Sequence, residues 1–73
     1  MLYEKNELTI QTTQLISNGI FKLIDRNKYG KVIIENEITN TDFIRINKNL
    51  LPSKYEIRII TPETTITKRI TVR

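Results

Sequence analysis

The side chains that most often do chemistry near neutral pH are missing from this 73-residue chain, which has neither His nor Cys. That removes the usual general base, the commonest metal ligand and any thiolate or disulfide. Carboxylates and hydroxyls remain. Glu35 and Glu37 share one parity of a strand-like run, as a paired-acid site would require, but Ile33 lies on the same face and Lys31 beside it, the pattern of a solvated edge. Asp25 and Asp42 each border a turn, where Asp commonly bonds the local backbone. Ser17 and Ser53 belong to a chain rich in hydroxyls, 10 of them Thr, whose preference for pleated surfaces explains their number. Gly19 and Gly30 sit in separate turns and cannot together form a phosphate-cradling loop. The expectation is a non-enzyme with no metal and no cofactor.

Charge offers a second kind of chemistry. Lys and Arg total 12 against 8 acidic residues, giving a net charge of +4. Most of the cations are scattered, and they concentrate only in Lys68-Arg69-Ile70-Thr71-Val72-Arg73. An oligonucleotide-binding surface needs a basic groove interleaved with stacking aromatics. The aromatics here are Tyr3, Phe21, Tyr29, Phe43 and Tyr55. Tyr55 has the inward parity of its strand, which leaves Tyr29, near Arg26, Lys28 and Lys31, as a single exposed ring. Nucleic acid is therefore not expected as a tight partner, and few phosphates could be neutralised together.

The elements that must position these residues read as strands. Ile supplies 14 residues and Ala none, a composition that favours pleated sheet over helix. Six short strands are expected. The first starts at Leu8 and alternates to Thr13, and the second is the apolar run Ile20–Asp25. The third runs from Lys31 to Ile38 with Val32, Ile34 and Ile38 on one face. The fourth is Phe43–Asn47, the fifth Lys54–Thr61 and the sixth Thr65–Val72. Ser17-Asn18-Gly19, Arg26–Gly30, Thr39–Asp42, Leu50–Ser53 and Pro62–Thr64 are the expected turns, with Gly19 free to take a positive φ and Pro52 and Pro62 interrupting the ladder. Lys68 has the inward parity of Ile66, Ile70 and Val72, which calls for either a bulge or an edge strand carrying an inward charge. The spacing predicts one antiparallel, Ig-like β-sandwich of six to seven short strands over residues 8–73, behind a flexible segment at 1–7. Its core is expected to hold Ile10, Phe21, Leu23, Ile34, Ile46, Tyr55, Ile57 and Ile59. No run approaches the length of a membrane span, and the N-terminus has no secretory leader pattern.

Three stretches in order have a recognisable shape. Leu23–Val32 is a strand, an acidic turn containing Gly30, and a strand restarting on a basic residue. Phe43–Ile59 is an apolar strand, a Leu-containing turn with Pro52 and Ser53, then a strand led by Tyr55. Thr67–Arg73 is a basic pair followed by alternating apolar residues and a final Arg. Together they resemble the C-terminal sorting domain of the type IX secretion system of Bacteroidota, over residues 8–73. The chain departs from that family where Ser53-Lys54-Tyr55 replaces Gly-x-Tyr and where no Pro-Asn-Pro precedes Leu8.

The resemblance implies an address and no catalysis. The domain would sit behind a secreted cargo, be recognised by the outer-membrane translocon and sorting machinery, and then be removed or exchanged for an anchor at the cell surface. Lys68, Arg69, Ile70, Val72 and Arg73 would be the recognition motif, and Gly30, Pro52, Ser53 and Tyr55 the turn and motif residues that shape the domain. Two other readings fit the residues. One is a free-standing, cytoplasmic protein-binding sandwich of phage-related or immunity type. The other is a small nucleic-acid-binding barrel.

Overall fold

A computed structural model describes residues 2–73. Five strands follow one another: β1 (Leu2–Glu4), β2 (Glu7–Asp25), β3 (Lys31–Asn47), β4 (Ser53–Ile60) and β5 (Thr65–Val72). A 3₁₀ turn at Arg26–Lys28 joins β2 to β3. Every pairing is antiparallel: β2 pairs with β1, β3 and β4, and β4 pairs with β5. The protein is an all-β domain built on an antiparallel sheet, as composition and spacing required.

Two of the strands are far longer than the short ones expected. β2 has 19 residues and β3 has 17. Laid straight, 19 residues would run roughly 60 Å at the usual strand rise, yet the longest dimension of the molecule is 31 Å. The β2–β3 hairpin therefore doubles over. Its open end, with β1, forms a three-stranded layer, and its closed end, with β4 and β5, forms a four-stranded one. The expected turns at Ser17-Asn18-Gly19 and Thr39–Asp42 are thus absorbed into continuous strands, Asn18 and Gly19 pairing with Thr39 and Ile38. The bend is a register shift: Gln11 faces Phe43 and Ile16 faces Thr41, so residues 12–15 lie opposite Asp42 alone. Asn40 takes a left-handed φ of 47° there.

Gly19 serves the fold differently from the expectation. It does not take a positive φ; it is close approach that requires glycine, since a Cβ would lie 2.9 Å from the Ile60 carbonyl oxygen.

The core lies between the layers. Leu8, Ile10, Ile16, Phe21, Leu23, Ile38, Ile44, Leu50, Tyr55, Ile57 and Ile59 form one buried cluster, against which Ile34 and Ile46 pack half-buried. All eight expected core residues face it. A second register shift corrects the parity of β3. Leu23 faces Ile34 but Ile24 faces Val32, leaving Ile33 as an extra residue. Val32 turns to the outer face, 44% exposed, while Ile33 packs on the core. Alternation cannot reveal an inserted residue, because the bulge itself resets the period.

Leu2–Glu4, within the segment expected to be loose, pairs with β2 through a two-residue turn in which Lys5 and Asn6 have φ of 54° and 64°. Two left-handed residues are what the twist of a tight hairpin demands.

Candidate recognition surface

Among the described residues β5 pairs only with β4, in unbroken register from Ser53↔Val72 to Ile60↔Thr65. It is an edge strand without a bulge, and this resolves the parity of Lys68. Lys68 lies opposite Ile57 on the core side and reaches solvent at the open edge. Ile70 and Val72 share that side and pack half-buried on the core. Arg69 points to the outer face and lies opposite Glu56. Its guanidinium is 3.7 Å from the Glu56 carboxylate, which also accepts from Arg58 Nε at 2.5 Å. Glu56 is only 7% exposed, so it is held between two guanidiniums and under their stems. Arg73 follows the strand and is exposed.

The strand thus brings the expected recognition residues onto one edge but not onto one face. Arg69 also has a structural duty, partnering a buried carboxylate, that sequence order alone does not disclose.

The turn residues gather at one end of the molecule. Asp25 closes β2 and is buried, and its Oδ1 accepts from Asn27 N at 3.0 Å and from Ser53 Oγ at 2.7 Å. The first bond is the local capping expected of an Asp at a turn. The second ties the 3₁₀ turn to the start of β4. Gly30 completes the turn at a φ of 74°, after Tyr29 at 57°. Pro52 stands in the exposed loop before Ser53.

Tyr55 is buried, and its hydroxyl donates to the Leu51 carbonyl at 2.5 Å. Burial, then the nearby charge of Asp25 and then Tyr3, raise its phenol above the ordinary 10.0. Between these groups lies an open cavity of about 380 Å³, lined by Asp25, Lys28, Lys48, Leu51, Ser53 and Tyr55 among others. Every buried polar side-chain atom among the described residues has a partner, so this end is a closed hydrogen-bond network.

Sequence reasoning missed Tyr3 here. Its hydroxyl donates to the Lys48 carbonyl at 2.9 Å and accepts from Leu50 N at 2.8 Å, fastening the loop between β3 and β4. The available signal was an aromatic one residue ahead of the Glu4–Glu7 hairpin turn. The two exposed rings do not meet. Tyr29 is fully exposed on the 3₁₀ turn, whereas Phe43 lies beside the bend with Arg45 over its ring at 5.6 Å.

Comparison with protein-family models, curated proteins and solved structures returns no match. No helix among the described residues is long and apolar enough to cross a membrane.

Proposed function

We propose that this chain is a non-catalytic sorting domain that directs a longer protein through the type IX secretion system to the cell surface, and that β5 is the strand by which the machinery reads it. One observation carries the reading: the recognition motif expected from the resemblance coincides with an uninterrupted edge strand whose basic side chains are exposed. An edge offers unpaired backbone for main-chain recognition and side chains for specificity. Asp25, Ser53 and Tyr55 act beneath it by fastening the start of β4, the only neighbour of β5 among the described residues, and Gly30 shapes the turn between β2 and β3.

The test is export of a reporter fused ahead of the domain. Reversal at Lys68 and Arg73 keeps the Arg69–Glu56 contact, so the fold is retained while the edge changes sign. Surface display is expected to fall for K68E/R73E while the melting temperature of the purified domain stays within a few degrees, since exposed substitutions usually shift stability by less than ~0.5 kcal/mol. Undiminished display of that variant overturns the reading.

A further inference from the structure

Edge strands invite added strands unless something blocks them. The described residues contain three such edges, and they differ. β1 has only three residues. β3 is long but is broken by register shifts at both the bend and Ile33, and it carries charges of both signs in Lys31, Glu35, Glu37 and Arg45. β5 offers eight residues in unbroken register, and its charges are all positive.

Charge and burial on β5 indicate what would pair with it. Glu56 is the acid at its flank, and it is shared between Arg58 and Arg69, so one carboxylate faces two guanidiniums and the strand stays cationic. On the core side Ile66, Ile70 and Val72 are half-buried and lack a neighbour beyond the edge. A second copy pairing β5 to β5 would bring Lys68 and Arg69 against their own kind, which cross-strand geometry penalises. We propose that β5 accepts an extended acidic segment of another protein as an added strand. In that segment aliphatic residues alternate to cover Ile66, Ile70 and Val72, and adjacent carboxylates face Lys68 and Arg69. This deepens the sorting reading by naming the chemistry of the partner, and it rests on that reading only in taking β5 as the recognised strand.

The probe is a capped peptide, Val-Thr-Val-Glu-Glu-Thr-Val, with a Lys-Lys version as its charge-swapped counterpart. Binding is measured by fluorescence anisotropy and by amide hydrogen exchange of the whole domain. The acidic peptide is expected to bind and to slow exchange across Thr65–Val72, and the domain is expected to bind the Lys-Lys version at least about threefold more weakly, the size of effect that one or two cross-strand charge pairs produce. K68E, which leaves one charge of each sign opposite the peptide pair, should abolish that preference by weakening the acidic peptide and strengthening the Lys-Lys one. N-methylation of alternate peptide amides should abolish binding by either version.

The proposal is overturned if the acidic peptide does not bind, if N-methylated peptide binds equally well, if protection falls on β3 instead, or if K68E leaves the preference unchanged. The variant's melting curve and its gain of Lys-Lys binding separate loss of fold from loss of recognition. Failure here with export still sensitive to Lys68 would leave the sorting reading standing. Binding here with export insensitive would remove the sorting reading and keep the strand partner.

Discussion

The two ends of this sheet are built on opposite plans. At one end, Asp25, Ser53, Tyr55 and Tyr3 bond across sequence separations as large as 47 residues, and Asp25 and Tyr55 are buried. At the other, the hairpin bends and its polar bonds are exposed, whether they cross the hairpin, as Gln11 Nε2 does in donating to the Asp42 carbonyl at 3.0 Å, or stay local. Thr12 Oγ1 donates to the Gln14 carbonyl at 2.7 Å, Thr41 Oγ1 to the Phe43 carbonyl at 2.9 Å, and Thr61 closes its turn by donating Oγ1 to the Thr64 carbonyl at 2.9 Å. Burial separates the two in energy. A bond lost in the interior strands a desolvated group, whereas one lost at the surface is replaced by water. The bonded end is therefore where the chain specifies its three-dimensional arrangement, and the bend is where it tolerates variation.

The core beneath both ends sets the scale. Ile57→Ala removes a nearly fully buried side chain and should cost ~2–5 kcal/mol, read as the shift of a urea midpoint. Because Ile57 contributes to the shared cluster, hydrogen exchange should quicken at both ends together; quickening at one end alone would mean that the ends are separately stabilised.

Asp25→Ala is expected next, at about 1–3 kcal/mol, since it leaves Ser53 Oγ and Asn27 N without their acceptor. The loss should concentrate at the 3₁₀ turn and at the start of β4. A loss under ~0.5 kcal/mol would show that the network is not what organises this end.

Gly19→Ala probes a crowded point near the tolerant end. With the Ile60 carbonyl only 2.9 Å from the new Cβ, a cost of ~1–3 kcal/mol is expected, typical of overpacking.

Tyr55→Phe should cost ~0.5–1.5 kcal/mol, the usual net worth of a hydrogen bond. It also has a pH signature. The unfolded chain releases the phenolic proton at about the ordinary 10.0, whereas the folded chain holds it to higher pH. Stability linked to Tyr55 is therefore fully present below pH 10 and is lost as pH rises through the folded value. The alkaline decline measured by denaturant titration should be shallower in Tyr55→Phe. Thr41→Ala at the exposed bend should change stability least, by under ~0.5 kcal/mol.

Legibility followed the range of the interactions. The alternation of Tyr55, Ile57 and Ile59 against Glu56 and Arg58 marked β4 and its core face correctly, and Asp25 was recognisable as a residue that bonds its own turn. Both depend on neighbours a few positions away. The reach of Asp25 to Ser53 was not readable, because that pairing exists only after β4 has docked on β2. Nor was the duty of Arg69: Glu56 alternates as a surface residue, and only the packing of β5 places it, buried, between two guanidiniums. The candidate edge was legible as a cluster of basic residues and, from the parity of Lys68, as one of two alternatives, a bulge or an edge strand, between which only the unbroken β4–β5 register decided.

The sequence alone therefore determined the class of structure. Abundant Ile and Thr, no Ala and period-two alternation impose pleated strands, and the Pro52 and Pro62 regions interrupt them, because these are preferences of single residues and near neighbours. Only the tertiary structure decided that six short strands are partly fused into two long ones, that Ile33 and Val32 exchange faces, and that β5 lies open along one side. Those outcomes depend on how a 19-residue strand fits within a 31 Å molecule and on which strands are left without a neighbour when the core closes. Both are properties of the whole assembly of strands, carried by no single segment.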